Sequence, residues 1–248
     1  MDHSAVRSKI QRRITIHIRG VPNADTPFLQ KMKHALRMEN TERCVFAGTG
    51  KYDIPVILPE TEIRIDKLEW IPVDYATVAK DRATKGIHFY KDDYKFEQYW
   101  NNPDKYIPLL KQYGAVLSPD FSVYNDMPLA VQIFMHYKKH WLAAYWQMHG
   151  VHVIPTIRTC GKESYDWCFD GEPTNGIISI SSHGTQRDPY EAECFAEHCR
   201  VILERLKPTS VLWYGKCPEE FDWNVTKIKP FTHERGIYYA KGRIREQQ

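Results

Sequence analysis

Carboxylates that directly follow apolar, β-branched runs are the groups in this chain best suited to acid–base or nucleophilic chemistry. Asp120 stands first among them. In Ser118-Pro119-Asp120-Phe121-Ser122 it follows Ala115-Val116-Leu117, where a charge is poor core material and is well placed to face a cleft. Asp92 and Asp93 follow a second such run, Ile87-His88-Phe89-Tyr90, and either would give Asp120 a partner. Two carboxylates in different environments have separated pKa values, so one can act as acid or nucleophile and the other as base. That arrangement would serve a hydrolase or a glycosyl or base transferase.

Further groups lie at the ends of similar runs. Arg158 closes Val153-Ile154-Pro155-Thr156-Ile157-Arg158 and could grip a phosphate or carboxylate with its planar fork. His183, in Ser182-His183-Gly184, is a candidate acid–base group. Ser118, Ser122, Thr156, Ser182, Tyr214 and Lys216 are candidate substrate contacts. Each has a purely structural alternative. Asp120 could stabilise a turn through Ser118 or Ser122, and Arg158 could pair internally with Asp120 or Asp166. Asp92, Asp93 and Asp120 would suit a hard divalent cation such as magnesium. No His or Cys spacing marks a zinc site, and no G-x-S-x-G elbow supports a hydrolase triad. Phe46-Ala47-Gly48-Thr49-Gly50-Lys51 has the wrong spacing for a phosphate loop and lacks a strand directly before it.

The elements that must position these groups read as an α/β fold from residue 67 onward. Strands are expected at 68–73, 87–90, 115–118, 152–157, 177–182, 210–214 and 226–230, alternating with helical segments in the rhythm of a parallel sheet with crossover helices. A helix over 128–149 has a clean 3.6-residue apolar period and closes at Gly150. Another starts at Asp188-Pro189-Tyr190-Glu191, where Asp188 can cap the free amides and Pro189 suits the first turn. A weaker one runs from Asn102-Pro103 to Gly114. Parallel strands share a direction, so their C-terminal ends should share one rim, where such folds bind ligands. The expected architecture is an irregular or incomplete (β/α) barrel, in preference to an open doubly wound sheet. Residues 1–66 read as a basic, irregular lead-in packed on this body, with a strand near 14–19 and a short helix near 28–38.

At 248 residues, with 42% hydrophobic and 26% charged residues, the chain is long and apolar enough for a substantial core and is unlike a disordered protein. A net charge of +3 is too small for a dedicated nucleic-acid binder, and the basic residues gather at the two ends. The six cysteines form no C-x-x-C pair and follow no secretory signal, so they read as reduced thiols. No apolar run approaches the roughly 20 residues of a membrane span. The expected setting is cytoplasmic.

Four blocks stand out: His88-Phe89-Tyr90-Lys91-Asp92-Asp93-Tyr94-Lys95-Phe96-Glu97 and Val116-Leu117-Ser118-Pro119-Asp120-Phe121-Ser122-Val123-Tyr124, followed by Asp126-Met127-Pro128-Leu129 and Cys168-Phe169-Asp170-Gly171. They resemble a family found in phages, plasmids and other mobile elements of Gram-positive bacteria, domain-of-unknown-function family forty-four seventeen. The similarity extends to Phe231-Thr232-His233-Glu234-Arg235. The resemblance implies a mobile-element context near DNA replication, DNA modification or host defence, and brings no catalytic residue with it. Together with the carboxylates it suggests an enzyme acting on nucleic acid or a nucleotide. A non-catalytic protein that engages DNA or a host protein stands beside that reading, and a sink for a nucleotide signal is a third.

Overall fold

The computed structural model describes residues 39–185, 188–218 and 221–228. The strand expected near 14–19, the helix expected near 28–38, the basic residues of both ends and the block at 231–235 lie outside them. A short antiparallel hairpin, β1 (Gly48–Thr49) and β2 (Ile54–Pro55), occupies the stretch that looked like a phosphate loop. All seven expected strands then follow: β3 (Glu69–Pro72), β4 (Lys85–His88), β5 (Ala115–Leu117), β6 (Val153–Ile154), β7 (Ile177–Ser181), β8 (Ser210–Tyr214) and β9 (Val225–Lys227).

Strands β3 to β6 form one parallel sheet and β7 to β9 a second, each in sequence order. The two sheets meet through a parallel bridge between Thr156 and Ser179. There Ile157 N donates to Ser179 O at 2.8 Å, and Ser179 N to Pro155 O at 2.8 Å. A doubly wound sheet would reverse its strand order, and no reversal occurs here. Alternation along the strands sorts the core into three parts. Trp70, Ala115, Leu117, Ile154, Ile177 and Leu212 point inward into a common interior with Tyr90 and Ile228. Ile71, Ile87, Val116 and Val153 point outward from the first sheet, as do Ile178, Ile180, Val211 and Trp213 from the second. Sequential parallel strands around one shared interior make an irregular (β/α) barrel. No ladder joins β9 to β3 among the described residues, so the barrel is open.

Helices cover the outer faces. α1 (Glu97–Asn101), α2 (Pro103–Leu110) and α3 (Leu129–Met148) pack Tyr99, Trp100, Leu110, Trp141, Leu142 and Trp146 on the first sheet. α4 (Pro189–Leu206) packs Phe195, Cys199, Ile202 and Leu206 on the second. Asp188 caps α4 as expected, its Oδ1 accepting from Glu191 N at 2.9 Å. α3 closes at Gly150, whose φ of +83° suits glycine, while Val151 N returns to Trp146 O at 3.0 Å. Unlike an ordinary crossover helix, α3 is buried on more than one side, and from His136 to Gln147 it exposes only Tyr137 in part. The hairpin and the 170–172 segment lie against the side that the sheet leaves free. Gln147 Oε1 accepts from Leu58 N at 2.8 Å, and Trp141 Nε1 donates to Cys44 O at 2.9 Å. All six cysteines are free. Among the described residues, no helix is long and apolar enough to cross a membrane.

The inward position of Gly86 sets a limit on the barrel interior, because a Cβ there would lie 2.5 Å from the Trp70 indole. Gly86→Ala must displace that ring, at a cost of about 1–3 kcal/mol from overpacking. Urea unfolding should show a lower midpoint at an unchanged slope. An unchanged midpoint would mean that Trp70 does not fill the interior.

Candidate functional site

The ends of β5 and β6 bring Asp120 and Arg158 together. Local chemistry explains how the backbone leaves the ladder here. After the pair Leu117–Ile154, Ser118 N still reaches Ile154 O, but the amide of Thr156 donates to Ser118 Oγ at 2.8 Å and not to a backbone carbonyl. Ser118 and Thr156 are thus stitches between strands, and both are buried. Beyond them Arg158 Nη2 donates to Asp120 Oδ2 at 3.3 Å. Asp120 is 10% exposed at its side chain and Arg158 28%. Burial pushes the Asp120 carboxyl above the ordinary carboxylate range, and the nearby Arg158 and Lys139 charges offset only part of that rise.

The pair opens on a narrow cleft between these strand ends and α3. Asp120, His136, Lys139, Arg158, Cys160 and Trp167 contribute to its walls, and it has room for about one water molecule. Tyr124, which is exposed, lies near Arg158.

The other sequence-derived candidates divide into three groups. Asp93 is committed to a clasp, its carboxylate accepting from Ser122 N at 3.0 Å and from Ser122 Oγ at 2.9 Å. This fixes the Asp120 loop against the end of β4, and makes Asp93 and Ser122 positioning groups. Asp92 is exposed at the start of the turn that follows β4 and lines no part of the cleft. Ser182, His183, Tyr214 and Lys216 sit at the ends of β7 and β8, away from the cleft walls. Ser182 N donates to Tyr214 O at 2.9 Å, and His183 and Lys216 are exposed. Tyr214 stacks on Tyr90 at 4.8 Å between ring centroids and lies tilted against the buried His88 at 5.2 Å. The structure therefore joins Asp120 to Arg158, with Thr156 behind them, and separates them from Asp92 and His183.

Sequence reasoning missed the partners that α3 supplies. Lys139 Nζ donates to the Thr156 carbonyl at 3.0 Å and pairs with Glu172, whose side chain has no solvent exposure. His140 Nε2 lies 3.1 Å from Glu172 Oε1, while its Nδ1 meets Pro55 O at 2.8 Å. His136 Nε2 meets Asp170 O at 3.0 Å, and its ring centroid is 4.3 Å from that of His140. Burial raises the Glu172 carboxyl, but Lys139 and His140 together hold it below the ordinary range. Burial, reinforced by His140 and Lys139, drives His136 well below the usual imidazole value, so the ring is neutral at pH 7. His136, His140 and Glu172 can each present one ligand atom within 4.8 Å of the others, and they are the group among the described residues able to hold a metal. The available signal was the four-residue spacing of His136 and His140 on a clearly periodic helix, which puts both on one face.

The profile of the family described as Domain of unknown function (DUF4417) matches residues 46–232. The chain is 33% identical over 192 residues to the Gene 1 protein of Mycobacterium phage D29, covering 76% of this chain and 70% of that protein. It is 33% identical over 190 residues to the Gene 1 protein of Mycobacterium phage L5, covering 76% and 82%. No solved structure matches it.

Removing one member of the Lys139–Glu172 pair leaves a buried charge without its partner, which costs about 3–5 kcal/mol. Lys139→Met and Glu172→Gln should each destabilise by about that amount. The double variant should recover part of the loss, a coupling that a double-mutant cycle in denaturant reads directly. Additive losses would show that the pair does not act as one unit.

Proposed function

The chain belongs to the DUF4417 family, and on that premise we propose that it is a phage or mobile-element enzyme that hydrolyses or transfers a group on a nucleotide or nucleic acid. The observation that carries this reading is the Asp120–Arg158 pair, placed at adjacent strand ends on the wall of the cleft. Asp120 is the acid–base group. Its raised pKa brings protonation nearer to neutral pH, where proton transfer is efficient. Arg158 holds an anionic group, for which its fork geometry and permanent charge are suited. A cleft sized for one water fits a hydrolytic step at the mouth, with the bulk of the substrate outside. Tyr124 at 55% exposure and Tyr94 at 73% offer rings on the two loops that Asp93 and Ser122 clasp together, where a base could stack.

The test is turnover against a panel of nucleoside phosphates and single-stranded oligonucleotides, followed by chromatography of the products. Asp120→Asn should lower kcat by roughly a hundredfold or more while binding persists. Arg158→Met should raise KM for the anionic substrate. Arg158 lowers the Asp120 pKa, so its loss lets that pKa rise and should move the Asp120 limb of the kcat/KM profile to higher pH. Turnover that survives Asp120→Asn would end the acid–base assignment. A tight stoichiometric complex without turnover would identify a nucleotide sink, and a panel with neither binding nor turnover would leave the partner-binding reading in its place.

A further inference from the structure

Glu172 and the two histidines of α3 have a geometry that an internal charge network does not account for. His140 Nδ1 faces the Pro55 carbonyl and His136 Nε2 the Asp170 carbonyl, at 2.8 and 3.0 Å. A carbonyl only accepts, so these two nitrogens carry the ring protons, and the tautomers follow from the partners. The lone pairs then belong to His140 Nε2 and His136 Nδ1. His140 Nε2 points at Glu172 Oε1, an oxygen that also only accepts when ionised. Glu172 Oε2 is buried and has no hydrogen-bond partner. One ligand atom from each of His136, His140 and Glu172 lies within 4.8 Å of the others, and each side chain is fixed from behind by backbone or by a charge.

We propose that His136, His140 and Glu172 bind a first-row divalent transition metal such as zinc, through one nitrogen of each ring and the free carboxylate oxygen. Two imidazoles and one carboxylate are a ligand set that such metals favour and that magnesium does not. Ring N–H groups anchored on carbonyls are the support that metal-bound histidines usually have, because it fixes both tautomer and ring orientation. Gly171 lets that support approach. A Cβ there would lie 2.4 Å from Pro55 O and 2.7 Å from His140 Nδ1. Lys139 does not take the metal's place, since it holds Oε1 and the Thr156 carbonyl and leaves Oε2 available. Three protein ligands leave a coordination position open, and one of them, His136, also lines the cleft beside Asp120 and Arg158.

The proposal does not need Asp120 to be catalytic, and the experiment keeps the two apart. The full chain is titrated with cobalt(II) as a spectroscopic probe and with zinc by calorimetry. One ion per chain is expected, with the visible absorption bands of a four- or five-coordinate cobalt site. His136→Ala, His140→Ala and Glu172→Gln should each weaken binding by roughly a hundredfold or more, while Asp120→Asn leaves it unchanged. X-ray absorption of the wild-type zinc protein gives a readout that does not depend on a variant folding: two imidazoles, other light ligands and no sulfur. A folded wild-type chain that binds neither ion, binding that survives all three ligand substitutions, or a sulfur shell would each overturn the proposal.

Discussion

An ionised carboxylate without access to water must find its counter-charge and hydrogen bonds inside the protein, and Glu172 imposes that demand on this fold. The answer comes from three separate parts of the chain. α3 supplies Lys139, the end of β6 supplies the Thr156 carbonyl that shares the lysine, and the hairpin supplies the Pro55 carbonyl that orients His140 beside the carboxylate. None of these groups could move far without uncovering a buried charge. The constraint also explains why α3 is buried on more than one side. The sheet takes its apolar residues, such as Trp141, Leu142 and Trp146, while the hairpin and the 170–172 segment enclose its polar ones.

A second consequence follows from where the ladder is weakest. β6 has only two paired residues, and past Ile154 its proline offers no N–H to a neighbour. Side chains then replace backbone groups, with Ser118 Oγ receiving the Thr156 amide. The join between the two sheets narrows to the Thr156–Ser179 bridge at the same point. Released from regular pairing, the segments after β5 and β6 can turn Asp120 and Arg158 toward α3. The break in the sheet and the position of the cleft thus have one origin.

Much of the scaffold was legible in the sequence, because it rests on local patterns. Strand alternation, the period of α3 and the Asp188 cap of α4 depend on neighbours a few residues away. The Asp120–Arg158 pairing was within reach for a related reason, since adjacent parallel strands place their ends together and opposite charges there attract. The partner of Asp93 was harder to read. A carboxylate beside a cleft and one that clasps the Ser122 loop have the same local sequence, and only the register of β4 against β5 separates them. Glu172 was not legible at all. It lies in a turn with no periodic signal, and its burial depends on a hairpin more than a hundred residues earlier in the chain. His136 and His140 were visible as a spacing, but their meaning depended on Glu172.

The location of the cleft departs from the usual expectation for a barrel. In a regular (β/α) barrel the strand ends surround an axial mouth, and ligands enter there. Here that mouth is filled. Tyr90 and Tyr214 stack across it with His88 beside them, and Tyr90 donates to Ser179 Oγ, which itself donates to Leu212 O. The stack is well satisfied apart from His88 Nδ1, which has no hydrogen-bond partner. Burial holds that ring down to about 3, so it stays neutral and behaves as an aromatic filler. With the axis closed by rings, the polar groups collect one layer outward, between the strand ends and α3. The helix that crosses from β5 to β6 is therefore more than a connection. It supplies Lys139, His136 and His140 to a site whose other wall is made by the strands it joins.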